Sequence, residues 1–220
     1  MKLGSGHARG GGGVSAGAGA DHHRRNRRGD ATRIRMLAAA LDCLATGDPD
    51  AVSANHVAKR AGATWGAVKY QFGDVDGLWA AVLDHLEERR GGPLSFPSTG
   101  SSVADRVAGI VDTLWRGLET PDARAIDTLR MALPRERGEL EQKLPRTAGA
   151  LASWQASWVE TCQAAFADLD LDAGRVREVA ALLPGAMRGL NSEAHLSTYS
   201  DLDLARRGLT AAIAAYLGST

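Results

Sequence analysis

Apolar side chains recur through this chain at three- and four-residue intervals, and most of the elements they predict are helices. Met36 to Leu44 reads MLAAALDCL, a mixture of alanine and leucine that places a first helix from about Asp30 to Ala45. Val57, Ala58 and Ala61 give a second, short helix a small apolar face, with Ser53 where an N-cap would start it. Gly62 follows as a helix C-terminal glycine should, since glycine enters the left-handed region without strain. Thr64 then caps a third helix, WGAVKYQF, whose Ala67, Val68 and Phe72 can point inward. Leu78, Trp79, Val82, Leu83 and Leu86 mark a fourth helix from about Asp76 to Arg90.

Gly91-Gly92-Pro93 and the Ser/Gly stretch after it break the pattern, and a domain boundary is expected there. Beyond it the chain shows no strand-like alternation. Val103, Val107, Ile110, Val111, Leu114 and Leu118 form one amphipathic helix. Pro121 suits the first turn of the next, which carries Ala125, Ile126, Leu129 and Leu133 and stops at Pro134. A short helix around Glu139 to Leu144 precedes a longer one from Thr147 to about Asp168, with Leu151, Trp154, Trp158, Cys162 and Ala165 in register. Two more follow. One contains Val176, Val179, Leu183, Met187 and Leu190 and is expected to be interrupted at Pro184; the last contains Leu202, Leu209, Ile213 and Leu217. The fold class is all-α: an N-terminal three-helix domain and a C-terminal helical domain.

Two helices joined by a tight glycine turn make a helix-turn-helix, whose second helix docks in the major groove of DNA. The inward face proposed above leaves Thr64, Trp65, Lys69, Tyr70 and Gln71 outside. Lys69 can reach guanine O6/N7 or a phosphate, Gln71 an adenine or a phosphate, and Thr64 either. Gly66 lets the backbone approach closely, and Trp65 can pack on a thymine methyl or donate its indole N–H, unless it folds back onto the first helix. Ser53 and Tyr70 are expected to donate to phosphates, which sets register without reading sequence. His56 reads more simply as a solvated surface side chain.

At these residues the chain resembles the DNA-binding domain of TetR-family transcriptional regulators. Met36 to Leu44 is similar to the family's "I-L-x-A-A-L-x-L-F" first helix, and Gly47 with Val52-Ser53 to the approach to its second. Val57-Ala58 and Ala61-Gly62-Ala63-Thr64 resemble "I-A-x-x-A-G-V-S". Gly66, Tyr70 and Phe72 resemble "K-G-x-x-Y-x-H-F", the tyrosine lying one place late, and Leu78 closes the match. The likeness covers roughly residues 30 to 90. Trp65 departs from a common lysine or arginine, Lys69 from the usual tyrosine, Val75 from a frequent lysine and Asp48-Pro49 from an aromatic. The C-terminal half resembles the family in helix order alone.

The resemblance implies a homodimer formed through the last two helices, where Ala211-Ala212 and Ala214-Ala215 permit close approach. Its two recognition helices would meet palindromic half-sites of a double-stranded operator roughly 34–36 Å apart. It also implies a small-molecule effector held within the C-terminal domain. Trp115, Met131, Trp154, Trp158 and Met187 are the candidate lining, although such stripes also make plain core. Few polar residues interrupt them, so a mostly apolar effector is expected. Arg188 and His195 are candidates for anchoring a polar group at the pocket mouth or the dimer interface.

The formal charge is zero, but it is unevenly spread. Residues 1–35 carry eight Lys/Arg against two Asp/Glu, while 36–90 carry five against eight. Residues 1–28 are rich in glycine and are expected to form a disordered basic arm, with Arg24, Arg25, Arg27 and Arg28 as minor-groove or phosphate contacts. The remaining domains are then 29–90, a linker at 91–101, and 102–220. Cys43 and Cys162 lack metal-ligand spacing and suit a reduced compartment. No apolar run is long enough to span a bilayer and no secretory signal is visible, so a cytoplasmic, nucleoid-associated protein is expected. Hydrolase, zinc-protease, P-loop and dinucleotide-binding motifs are absent, so no enzyme, catalytic residue, metal or cofactor is expected. The resulting expectation is a ligand-responsive repressor. An activator of the same fold, and a helix-turn-helix used for protein contacts without DNA, stay open.

Overall fold

The computed structural model describes residues 16–48, 52–90, 96, 102–195 and 201–219, and side chains from residue 29 onward. Among the described residues there are ten helices and no strand. The first, α1 (Ala16–Ala45), begins well before Asp30. Residues 16–28, expected to be disordered, continue this helix instead; the segment contains no proline and is rich in alanine and arginine, both strong helix formers. Residues 1–15 lie outside the described residues.

The helix-turn-helix forms from local chemistry. In α2 (Ala54–Arg60) the Ser53 side chain accepts from the His56 N–H, and in α3 (Trp65–Phe72) the Thr64 side chain accepts from the Ala67 N–H. Between them Gly62 has φ 62°, and Ala63 N–H reaches Ala58 C=O at 2.9 Å while Gly62 N–H reaches Lys59 C=O at 3.1 Å. That bond pair is the Schellman motif, which satisfies carbonyls a helix end otherwise leaves open. Val57, Ala58, Ala61, Val68 and Phe72 are buried as the spacing predicts. A second left-handed glycine, Gly73 with φ 87°, turns α3 into α4 (Val75–Arg89), whose N-cap is Asp74.

The C-terminal helices are α5 (Val103–Leu118), α6 (Pro121–Ala132), α7 (Arg137–Lys143), α8 (Pro145–Ala165), α9 (Ala173–His195) and α10 (Leu202–Gly218). They divide between two apolar cores. One joins α1 to α4 with α6 and the first half of α8, through Leu44, Val57, Leu83, Leu129 and Leu151 among others. The second joins α5, the last turns of α8, α9 and α10, through Val111, Phe166, Leu183, Met187 and Ile213. The first core therefore crosses the sequence position of the expected linker.

Helix α9 runs unbroken through Pro184, where an interruption was expected. Proline lacks the N–H that would bond the carbonyl four residues back, at Ala180. Trp158 of α8 donates its indole N–H to that same Ala180 oxygen at 2.7 Å. The tryptophan thus replaces the missing donor and ties α8 to α9. At the C-terminal end of α8, buried Arg106 of α5 donates to the Ala165 carbonyl at 2.8 Å and makes a bidentate pair with Asp168.

Two outcomes follow from these contacts. Trp158→Phe leaves the Ala180 carbonyl without its donor and should cost about 1–3 kcal/mol in urea unfolding. The cost should shrink in a Pro184→Ala background, where a backbone N–H returns to the site; equal costs in both backgrounds would refute the assignment. Cys43 and Cys162 are both buried, and burial pushes the Cys162 thiol up to about 12. Because the folded value lies above the unfolded one near 8.5, its contribution to stability is complete below that pH and is lost as pH rises toward the folded value. A thiol-reactive chromogen at about pH 8 should therefore label neither cysteine until the chain unfolds.

Candidate nucleic-acid interface and ligand cavity

The outer face of α3 is built by its caps and by Val68 and Phe72, which hold the opposite face in the core. Trp65 is 38% exposed and Tyr70 87% exposed, and Gly66 and Lys69 are exposed beside them. A Cβ at Gly66 would meet only Thr64 Oγ1, at an ordinary 3.7 Å, so nothing inside the protein demands glycine there. Ser53 and Thr64 are exposed, and each uses its oxygen as a helix cap, leaving the hydroxyl proton free to donate outward. Gln71 departs from its expected place. Its side-chain amide donates to the Gly29 carbonyl at 3.3 Å and its backbone carbonyl accepts from the Arg33 guanidinium at 3.0 Å, so the residue fastens α3 to α1. Arg33 also lies over the Phe72 ring at 4.6 Å. Arg24, Arg25, Arg27 and Arg28 lie on the backbone of α1, and their side chains are outside the described residues.

Behind α3, the first turn of α4 meets the start of α8. Helix α8 has no side-chain cap of its own. Asp76 of α4 supplies one: its carboxylate accepts from Arg146 N–H at 2.9 Å and from Thr147 N–H and Oγ1, each at 2.8 Å. Asp76 is 7% and Thr147 0% exposed. The Arg146 guanidinium donates back to the Phe72 carbonyl at 3.0 Å, where α3 ends. Gly77 makes this approach possible. A Cβ there would overlap the Phe72 carbonyl and Arg146 Nη1 and lie 2.9 Å from Arg146 Cζ. Nothing in the sequence pattern marked Asp76, Gly77 and Thr147 as a unit.

A cavity of about 500 Å³ lies among α4, α5, α6, α8 and α9. Trp154, Trp158 and Met187 line it, together with Leu86, Leu114 and Ile126. Trp115 and Met131, proposed with them, do not. Trp115 packs on the second core with the Arg206 guanidinium 5.0 Å from its ring centre, and Met131 is 63% exposed on α6. Helical spacing assigned both residues to faces without saying which face met the cavity. The lining is also more polar than expected. Arg89, Arg90, Arg130 and Arg188 reach it, as do Asp122 and Asp127. Arg90 stacks 5.0 Å from the Trp154 ring centre, and Arg89 pairs with Asp122 at 3.5 Å. The side chain of His195 is outside the described residues.

On α9 and α10, Leu182, Leu204 and Tyr216 remain 57%, 59% and 43% exposed. Arg175 lies over the Tyr216 ring at 5.5 Å, and the Tyr216 hydroxyl donates to Glu178. No helix among the described residues is long and apolar enough to cross a membrane.

No protein-family model matches the sequence, and no curated protein matches it. Solved structures do. The chain is similar to NalD, the secondary repressor of the MexAB-OprM multidrug efflux pump in Pseudomonas aeruginosa, with TM-score 0.59 and 18% identity over 84% of this chain and 96% of that one. It is similar to a TetR-family transcriptional regulator from Rhodococcus sp., with TM-score 0.56 and 21% identity over 85% and 98%. It is also similar to the multidrug binding protein EbrR in complex with imidazole, with TM-score 0.57 and 19% identity over 86% and 96%.

The α4–α8 junction predicts that Gly77→Ala is destabilising although alanine is the better helix former. The Phe72 carbonyl is backbone and cannot step aside, so a loss of about 1–3 kcal/mol is expected in denaturant unfolding. A neutral result would mean that the two helices do not approach so closely.

Proposed function

Taking the fold of the TetR-family regulators as premise, we propose that this protein is a homodimeric DNA-binding transcriptional repressor whose hold on a palindromic operator is broken by a small molecule in the cavity. The observation that carries this reading is the outer face of α3. Trp65, Lys69 and Tyr70 project from a helix whose inner face is fully committed, and Gly66 is unexplained by any internal contact. Lys69 reads a base edge or neutralises a phosphate, Tyr70 and Ser53 donate to phosphates, and Gly66 admits the sugar–phosphate backbone. Arg24, Arg25, Arg27 and Arg28 add positive charge at the α1 end of the same domain.

The exposed Leu182, Leu204 and Tyr216 support α9 and α10 as the dimer face, since exposed apolar side chains gathered on two adjacent helices favour a partner. A two-fold axis there gives two copies of α3 and a palindromic target. Release follows from where the cavity sits. Leu86, Arg89 and Arg90 at the end of α4, and Trp154 and Trp158 of α8, line it, while the other ends of both helices hold α3. A ligand that prefers a displaced arrangement of these helices lowers the population able to bind DNA. Reversing a 99:1 equilibrium needs about a 10⁴-fold preference between the two states. The likeness to NalD and EbrR supports a repressor with a ligand site, as those proteins are named.

Selection of random duplexes with the purified protein should enrich a palindrome. Lys69→Ala should then weaken binding, by about 1–3 kcal/mol at one base position if it reads a base, or evenly across sequences if it meets a phosphate. Replacing Arg24, Arg25, Arg27 and Arg28 with glutamine should flatten the salt dependence of log affinity, by about 0.9 in slope for each phosphate no longer neutralised. No enrichment at low salt would reject DNA binding and leave a protein-binding helix-turn-helix.

A further inference from the structure

We propose that the cavity is built for an organic anion on an apolar body, with Arg130 of α6 and Arg188 of α9 as the subsite for its anionic head. The proposal deepens the ligand-responsive reading above and depends on it only for the effect on DNA. The lining holds four arginines against two aspartates, a formal excess of two positive charges. Arg89 has Asp122 as its partner and Arg90 rests on the Trp154 face. Arg130 and Arg188 come from different helices and converge on the same space. Arg130 keeps much of its surface open to solvent, and its guanidinium is held below its ordinary range, first by partial desolvation against the cavity wall and then by the like charge of Arg188, with the charge of Asp127 opposing both. Two guanidinium groups facing one cavity repel in the empty protein, and a carboxylate or phosphate between them relieves that repulsion with charge-assisted hydrogen bonds.

The rest of the lining suits an apolar body: Leu86, Leu114, Ile126, Met187 and the Trp158 ring. A volume of about 500 Å³ admits a small amphipath. A cationic ligand would add to the existing positive excess, and a neutral one would leave the arginine pair unrelieved.

Calorimetric titration of the full-length protein with octanoate, octyl phosphate, octanamide and octyltrimethylammonium tests this directly. At least one anion should bind ~10-fold or more tighter than the amide, about 1.4 kcal/mol, with the ammonium weakest. The tighter of the two anions identifies the head group. In Arg130→Gln/Arg188→Gln the advantage of the anion should vanish while octanamide affinity stays. Equal or tighter binding of octanamide or octyltrimethylammonium, binding of none of the four, or an anion preference that survives in the double variant would overturn the proposal. Should that variant fail to fold, the four ligands on the unaltered protein still decide. Operator binding is measured separately. Intact DNA binding without anion preference removes this proposal alone, and anion binding without DNA binding removes the regulator reading alone.

Discussion

The arrangement depends on one buried carboxylate. Asp76 stands in the first turn of α4 and caps α8, a helix that carries no side-chain cap of its own. The chain distance between the partners is large, with Thr147 lying 71 residues away. Backbone N–H groups at a helix start carry partial positive charge, so an anion there is favoured beyond the hydrogen bonds themselves. Removing the carboxylate would leave those donors buried beside an apolar core, which explains why a charged group is kept at that depth. Gly77 and Arg146 complete the joint. The missing Cβ lets the helices meet, and the guanidinium fixes the end of α3 to the start of α8.

This joint makes α8 a rigid arm. At about 1.5 Å of rise per residue, Trp154 is roughly 10 Å and Trp158 roughly 16 Å along α8 from Thr147. Those two side chains wall the cavity, and Trp158 is bonded in turn to the carbonyl that Pro184 leaves open in α9. One helix therefore passes from the end of α3, along the cavity, to the second core. Packed cores accept few intermediate arrangements, so a shift in this arm favours discrete positions over graded ones.

Local chemistry was legible in the sequence. Caps at Ser53 and Thr64, the left-handed Gly62, and burial of Val57, Val68 and Phe72 all follow from residue type and three-to-four spacing. What failed depends on partners far away in the chain. Periodicity placed Trp115, Met131 and Trp154 on helix faces, but only packing decides which face meets a cavity, a core or solvent. Gln71 looked free because its partners, Gly29 and Arg33, sit on another helix. Pro184 looked like a break because its replacement donor comes from Trp158, 26 positions earlier in the numbering. Of the four arginines that line the cavity, Arg188 was anticipated as a polar anchor at the pocket mouth, whereas Arg89, Arg90 and Arg130 sit on amphipathic helices where an arginine reads as solvated.

The two cores give the arginine pair a mechanical meaning. Arg130 rides on α6, which packs with α1 to α4 in the first core, and Arg188 rides on α9 in the second. Their mutual repulsion therefore acts across the seam between the two cores. On the proposed site, an anion between them would draw α6 and α9 together, while its apolar body would press on α4 and α8, whose far ends carry α3. Head and body thus act on different helices. A ligand that supplies only one of them would fill the cavity while shifting the balance less, because coupling requires unequal affinity for the two arrangements rather than occupancy. Specificity and signal would then come from the same charge pair.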